Sequence, residues 1–236
     1  MKLLEVFKSQ DKIQLDKKTL VILRWIAFIG QFVTIYFVFF ILKYNFPFFY
    51  CCLIILIGVL SNIFLQFKIK NNLLDNFSST IYLMYDLIQL TALIFLTGGI
   101  TNPFVILLII PSIVSSTFLS LRSTINLSFM TAIFLVVLTF YHFPLPHNDN
   151  LHFHVPQYYL YGIPTSVFIG LIFLTYFGAR FGLETRKRNE AVSKMELVLA
   201  KEHELKIMGV QAAAAAHSLG TPLSTIRVVA KELQKE

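Results

Sequence analysis

The residues best suited to chemistry stand near the C-terminal end, in the run Gln211-Ala-Ala-Ala-Ala-Ala-His217-Ser218-Leu219-Gly220-Thr221-Pro222-Leu223. Five alanines favour a helix and carry no bulk, so His217 is expected on a helix with its imidazole reachable from outside. Pro222 has no N–H and cannot bond the Ser218 carbonyl four residues back, which is expected to loosen or bend the helix one turn after the histidine. A reachable imidazole beside a bend suits a group that other domains must approach. The plain alternative is a solvent-facing histidine in an alanine-rich coiled coil.

A second stretch, Asp86-Leu-Ile-Gln89 through Thr97-Gly98-Gly99-Ile100-Thr101-Asn102-Pro103-Phe104, combines a turn with unusual neighbours. Two glycines let the chain reverse tightly, Asn102 is a good helix cap, and Pro103 is at home in a first helical turn. Read plainly, this is a short connection between two spans. A side-chain amide and an aromatic beside so little bulk also suit a flat ligand, with Asn102 donating to a carbonyl and Phe104 stacking on its plane.

The elements that must position these residues follow from composition. The 236 residues are 56% hydrophobic and 14% charged, with a mean hydropathy of +0.69, which places the chain among polytopic membrane proteins rather than soluble globules. The net charge of +7 lies in short loops and tails instead of on one aromatic-studded face, so nucleic acid is not the expected partner. Apolar runs at Leu20–Leu42, Phe46–Phe67, Ser79–Leu96, Pro103–Leu121, Ser123–Phe143 and Tyr158–Phe177 are each long enough to cross roughly 30 Å of hydrocarbon. Six spans are expected, with Pro111 and Pro164 bending the fourth and sixth.

Lys2, Lys8, Lys12, Lys17, Lys18, Lys68, Lys70, Arg122, Arg180, Arg186, Lys187 and Arg188 fall on one side, against Lys43 on the other. Both termini are therefore expected in the cytoplasm, with His217 on the side where ATP is found. Residues 1–19 form a polar tail without a signal-peptide cleavage pattern. The division expected is 1–19 tail, 20–180 membrane domain, 181–210 linker helix and 211–236 phosphotransfer segment. In the cytoplasmic stretch Val198, Leu205, Ala212, Leu219, Ile226 and Leu233 repeat at one heptad position, and Met208, Ala215 and Val229 at another, the pattern of a parallel dimer seam. No strand-like run or glycine-rich phosphate loop occurs there.

The string His217-Ser-Leu-Gly-Thr-Pro-Leu resembles the phosphoacceptor box of sensor histidine kinases, His-Glu-x-x-Thr-Pro-Leu. More closely, Gly98-Gly-Ile-Thr-Asn-Pro-Phe104 resembles the Gly-Gly-x-x-Asn-Pro-Phe motif of the RegB/PrrB redox-sensing kinases. The Asp86-Leu-Ile-Gln-Leu run, the Leu23-Arg-Trp-Ile-Ala27 opening and the six spans resemble that family too. The resemblance implies an all-α fold: a six-span bundle followed by a cytoplasmic coiled-coil helix that leads into the first helix of a dimerisation and phosphotransfer domain. It implies a homodimeric, multi-pass sensor in a bacterial inner membrane, reading ubiquinone through Gly98, Gly99, Asn102, Pro103 and Phe104. It further implies protein histidine kinase activity, with the γ-phosphoryl of Mg-bound ATP passing to His217 and then to a cognate response regulator. Ser218, Thr221 and Pro222 complete that catalytic box, Thr221 helping to position water in dephosphorylation. Ser218 stands where the family has an acid, and a hydroxyl is a far poorer base than a carboxylate. ATP and Mg would enter through a catalytic domain absent from these residues. The alternative expectation is a truncated, noncatalytic membrane dimer that modulates a full-length sensor or accepts phosphate in trans.

Asp86 lies within a span, where a carboxylate is costly and usually paired, and Arg24 in the first span is its expected partner. His142, His147, His152 and His154 cluster around the last outer loop, where a solvated loop is favoured over a metal site. Cys51 and Cys52 are adjacent in an apolar run and are expected to be buried structural thiols.

Overall fold

The computed structural model describes residues 15–68, 73–147 and 156–234. Among these residues six α-helices form: α1 (Lys17–Tyr36), α2 (Phe48–Lys68), α3 (Asn76–Leu96), α4 (Ile110–Phe118), α5 (Leu121–Phe140) and α6 (Gln157–Leu233). The fold is all-α, apart from a two-residue antiparallel pairing of β1 (Leu15–Asp16) with β2 (Leu73–Leu74). Two compact units result, Met1–Glu184 and Thr185–Glu236. The C-terminal unit is described by itself below.

Among the described residues five helices are long and apolar enough to cross a membrane, and the expected fourth span forms differently. Instead of one α-helix over Pro103–Leu121, the chain forms a 3-10 helix over Pro103–Ile109 and only then α4, which ends at Phe118. Pro111 is the physical reason. It has no N–H to give the Leu107 carbonyl, and in a continuous α-helix its ring would collide with that carbonyl. The tighter winding avoids both, and Ile110 N–H reaches back three residues to Leu107. Seven 3-10 and nine α residues together rise roughly 28 Å, just under the roughly 30 Å of a hydrocarbon layer. The end of the first span also rewinds, into a π-turn at Phe37–Ile41.

Start signals are local. Asp16 caps α1 by accepting from Thr19 N–H, and Ser120 caps α5 by accepting from Ser123 N–H. Between helices the contacts are small or hydroxylic. Gly178 and Gly182, four residues apart on α6, let the end of α4 approach so closely that a Cβ on either would overlap Ser116 or Thr117. Ser112 and Thr131 hydroxyls lie 3.2 Å apart, Ser115 and Thr124 3.1 Å, joining α4 to α5 where no water competes. Leu87, Ile100, Leu108, Leu127 and Leu138 form the centre of the main apolar core, and Phe28, Ile35, Cys51, Ile55 and Leu93 a second cluster around α1 and α2. Cys51 is buried and Cys52 half-buried, both as free thiols. The loop after the first span and the loop after α5 meet through Asn45 N–H donating to the His147 carbonyl, 3.2 Å.

Candidate functional site

The turn after α3 is built as its residue types require. Gly98 and Gly99 have φ of +113° and +54°, a region that a side chain disfavours. Space forbids side chains as well: a Cβ on Gly98 would fall 2.5 Å from Leu145 Cδ1, and one on Gly99 would overlap the His142 side chain. Asn102 caps the following 3-10 helix, its Oδ1 accepting from Phe104 N–H at 2.9 Å. Its Nδ2 donates to the Thr97 carbonyl at 3.0 Å and to Thr97 Oγ1 at 2.7 Å. Both amide donors of Asn102 are thus engaged within the turn. The sequence reading had this amide donating to a ligand carbonyl; the geometry instead uses it to fasten the two sides of the reversal. Pro103 takes the first helical position, and the Phe104 ring is exposed.

Asn102, Pro103 and Phe104 line one end of a cavity of about 680 Å³ between α1, α3 and the fourth span, while Gly98 and Gly99 shape the turn without lining it. The walls are almost wholly apolar, from Leu23 and Ala27 on α1 to Leu107 and Val114 on the fourth span. Along them stand two polar pairs. Gln89 donates through Nε2 to Gln31 Oε1 at 2.9 Å. Further along, Arg24 Nε donates to Asp86 Oδ1 at 2.8 Å, the ion pair that cost considerations anticipated. Arg24 also donates to Ser61 Oγ at 3.1 Å, and its guanidinium lies 5.4 to 5.5 Å from the rings of Phe28, Tyr82 and Tyr85. This aromatic surround stabilises a charge withdrawn from water.

Gln31, Thr97 and Tyr44 were not singled out by sequence. Gln89 had been noticed only as part of a run. Gln31 and Tyr44 line the cavity, and the Gln31 amide nitrogen and the Tyr44 hydroxyl have no partner among the described residues. Both groups carry an N–H or O–H that a carbonyl could accept.

On α6 the second set of predicted residues lies within one continuous helix, which runs through Pro164 and Pro222 without ending. His217 is exposed, and Ser218 Oγ donates to the Ala215 carbonyl at 2.9 Å. The Thr221 and Val229 side chains lie outside what is described. Val198, Leu205, Met208, Leu219, Ile226 and Leu233 are all exposed within this unit. Of the outer-loop histidines, His152 and His154 lie outside the described residues. Nδ1 of His142 donates to the Phe143 carbonyl and Nδ1 of His147 to the Leu145 carbonyl.

Residues 20–191 match the PilS-like transmembrane domain family. Two RegB sensor histidine kinases of Cereibacter sphaeroides are similar to the chain, at 34% and 35% identity over 220 residues. The aligned part is 93% of this chain and 48% of each relative, so the chain spans about half their length. No solved structure matches it. With its helices, apolar spans and motif-bearing turn in place, the chain belongs to the PilS-like transmembrane domain family and corresponds to the membrane region of RegB-type sensor histidine kinases.

Proposed function

We propose that this chain is the sensing and signal-carrying part of a two-component sensor kinase that responds to the redox state of a membrane quinone, with ubiquinone as the ligand. The observation that supports the reading is the cavity of about 680 Å³: apolar, set between spans, with the Asn102–Phe104 turn at one end and the Gln31–Gln89 pair along its wall. Its volume and lining suit a quinone head with the start of an isoprenoid tail. Phe104 would stack on the head, Gln31 and Tyr44 would donate to its carbonyls, and Gly98, Gly99, Asn102 and Pro103 would hold the turn that carries Phe104.

The quinone supplies redox chemistry when bound; the chain's part is to bind the head and exclude water from it. Differential affinity for its oxidised and reduced forms would shift α1 against α3, and α6 would carry that bias along its length to His217. There the imidazole would take a phosphoryl group from Mg-ATP held by a nucleotide-binding domain outside these residues, and a response regulator would receive it. The exposed seam from Val198 to Leu233 suits a second copy of the chain. The lysine and arginine distribution supports a reading with both termini on the cytoplasmic side of a bacterial inner membrane.

A second reading rests on Ser218. Its hydroxyl is committed to the Ala215 carbonyl and is a weak base, so the box would accept phosphate in trans or regulate a partner without self-phosphorylation. Binding is tested with the chain's one tryptophan, Trp25, which lies between the cavity-lining Arg24 and Ile26. A short-chain ubiquinone added to detergent-solubilised protein is expected to quench its fluorescence saturably. Phe104→Ala is expected to weaken that response several-fold, and an unaltered titration in this variant would count against the site.

A further inference from the structure

A second cavity, of about 700 Å³, opens between the starts of α3 and α5. Its polar lining includes Asp75, Arg122 and Asn126, and its apolar lining Phe77, Ile81, Met84 and Ile88. Two charges of opposite sign share this cleft, yet among the described residues neither Asp75 nor Arg122 makes an ion pair or a side-chain hydrogen bond.

Each also stands where the helix does not use it. Asp75 occupies the N-cap of α3, a position at which a carboxylate ordinarily accepts a backbone N–H, but its side chain makes no capping bond. Asp16, at the same position of α1, does cap. Arg122 sits in the first turn of α5, where the helix dipole disfavours a cation and favours an anion. The hydroxyls between them are spent on one another: Thr80 donates to Ser123 at 2.8 Å, and Ser120 and Ser123 lie 3.1 Å apart. Ser120 N–H is taken by Asn76 Oδ1 at 3.2 Å. Among the described residues, what this leaves without a partner is one anion, one cation, the amide nitrogen of Asn76, the exposed Asn126 amide and the Tyr85 hydroxyl. Below them the wall becomes apolar and outward-facing, with Phe77, Ile81 and Ile88 all exposed on a span.

We propose that this cleft binds a zwitterionic phospholipid bearing a primary ammonium, its phosphate on Arg122 and the α5 start, its ammonium on Asp75, and an acyl chain along Phe77, Ile81 and Ile88. Charge complementarity selects the headgroup. A purely anionic headgroup satisfies Arg122 but meets the Asp75 carboxylate. A trimethylated ammonium brings the right charge but no N–H to donate. The apolar wall selects a lipid over a free phosphoamine, which would leave that wall uncovered. The site is separate from the quinone cavity and does not depend on how that cavity is read.

The test is native mass spectrometry of the delipidated full chain in detergent, with phosphatidylethanolamine, phosphatidylcholine or phosphatidylglycerol added at equal concentration. The expected result is several-fold higher occupancy by phosphatidylethanolamine. Arg122→Gln should reduce the binding of all three, whereas Asp75→Asn should abolish the preference for the primary ammonium and raise phosphatidylglycerol binding. Both side chains are at the surface, so unchanged helical circular dichroism is expected for both variants. Equal occupancy by the three lipids in the wild type would overturn the proposal. So would a phosphatidylglycerol preference that Asp75→Asn leaves as it was, or lipid binding indifferent to Arg122→Gln.

Discussion

Arg24 on the first span and Asp86 on the third meet at 2.8 Å inside the bundle, with Ser61 of the second span hydrogen-bonded to the same guanidinium. One side chain thus ties three spans beside the cavity. Removing either charge leaves the other buried without its counter-ion. Arg24→Met or Asp86→Leu alone is expected to lower stability by about 3 kcal/mol, while the two together should restore most of it. Thermal unfolding of the four proteins in one detergent, treated as a double-mutant cycle, measures the coupling.

Gly99 has both a positive φ and no room for a Cβ. Gly99→Ala is expected to cost about 1–2 kcal/mol from the backbone conformation alone, with the overlap against His142 adding to it. Quinone quenching of Trp25 should weaken in step, because the displaced turn carries Phe104. Full binding in a measurably destabilised Gly99→Ala protein would separate the turn from the ligand.

The roles given to Asn102 and Gln31 differ, and a paired measurement distinguishes them. Asn102→Ala strips a cap and two further bonds from the turn, so it should lose stability by about 1–2 kcal/mol and lose quinone affinity with it. Gln31→Leu keeps the apolar volume and should lower affinity with a smaller change in unfolding temperature. If Gln31→Leu binds like the wild type while Tyr44→Phe does not, the carbonyl donor is the phenol alone.

Within the C-terminal unit the apolar stripe is exposed along Val198, Leu205, Leu219 and Ile226. Single cysteines at Leu205 and Leu219, in a background lacking Cys51 and Cys52, are expected to cross-link two copies under mild oxidation. A cysteine at His203, at the heptad position facing away from the seam, should cross-link far less. Equal yields at all three positions would indicate collisions rather than a seam.

Phosphoryl transfer to His217 is expected when an intact kinase domain of the same family and Mg-ATP are added, as acid-labile label that His217→Ala abolishes. Ser218→Glu supplies the missing carboxylate base and should raise the rate roughly tenfold or more. Label that survives in His217→Ala would place the acceptor elsewhere.

Much of this was legible in the residues because the physics was local or costly. A carboxylate and a guanidinium within spans nearly dictate each other, and Arg24 and Asp86 are indeed paired. Two glycines followed by Asn102 and Pro103 specify a turn with a cap, which is what forms. The spans follow from length and composition; the fourth changes winding at its start because Pro111 blocks the α ladder rather than merely bending it, and the first rewinds at its end, where no proline or glycine announces it. The Gly178 and Gly182 spacing was a small-residue packing signal available in the sequence and passed over. Gln31 was not legible: a lone amide in an apolar run does not reveal which face of α1 meets α3. Nor was the use of Asn102, whose amide could equally have been donated to a ligand until Thr97 was seen beside it.

Photolabelling with an azido-ubiquinone in native membranes, followed by peptide mapping, tests the central claim most directly because it reports where the head group sits. Label is expected on residues 97–104 and on the cavity-facing side of α1 around Gln31, displaced by excess ubiquinone and lost in Phe104→Ala. Label spread over the lipid-facing side of α2, or label that excess ubiquinone does not displace, would contradict the assignment of this cavity as the quinone site.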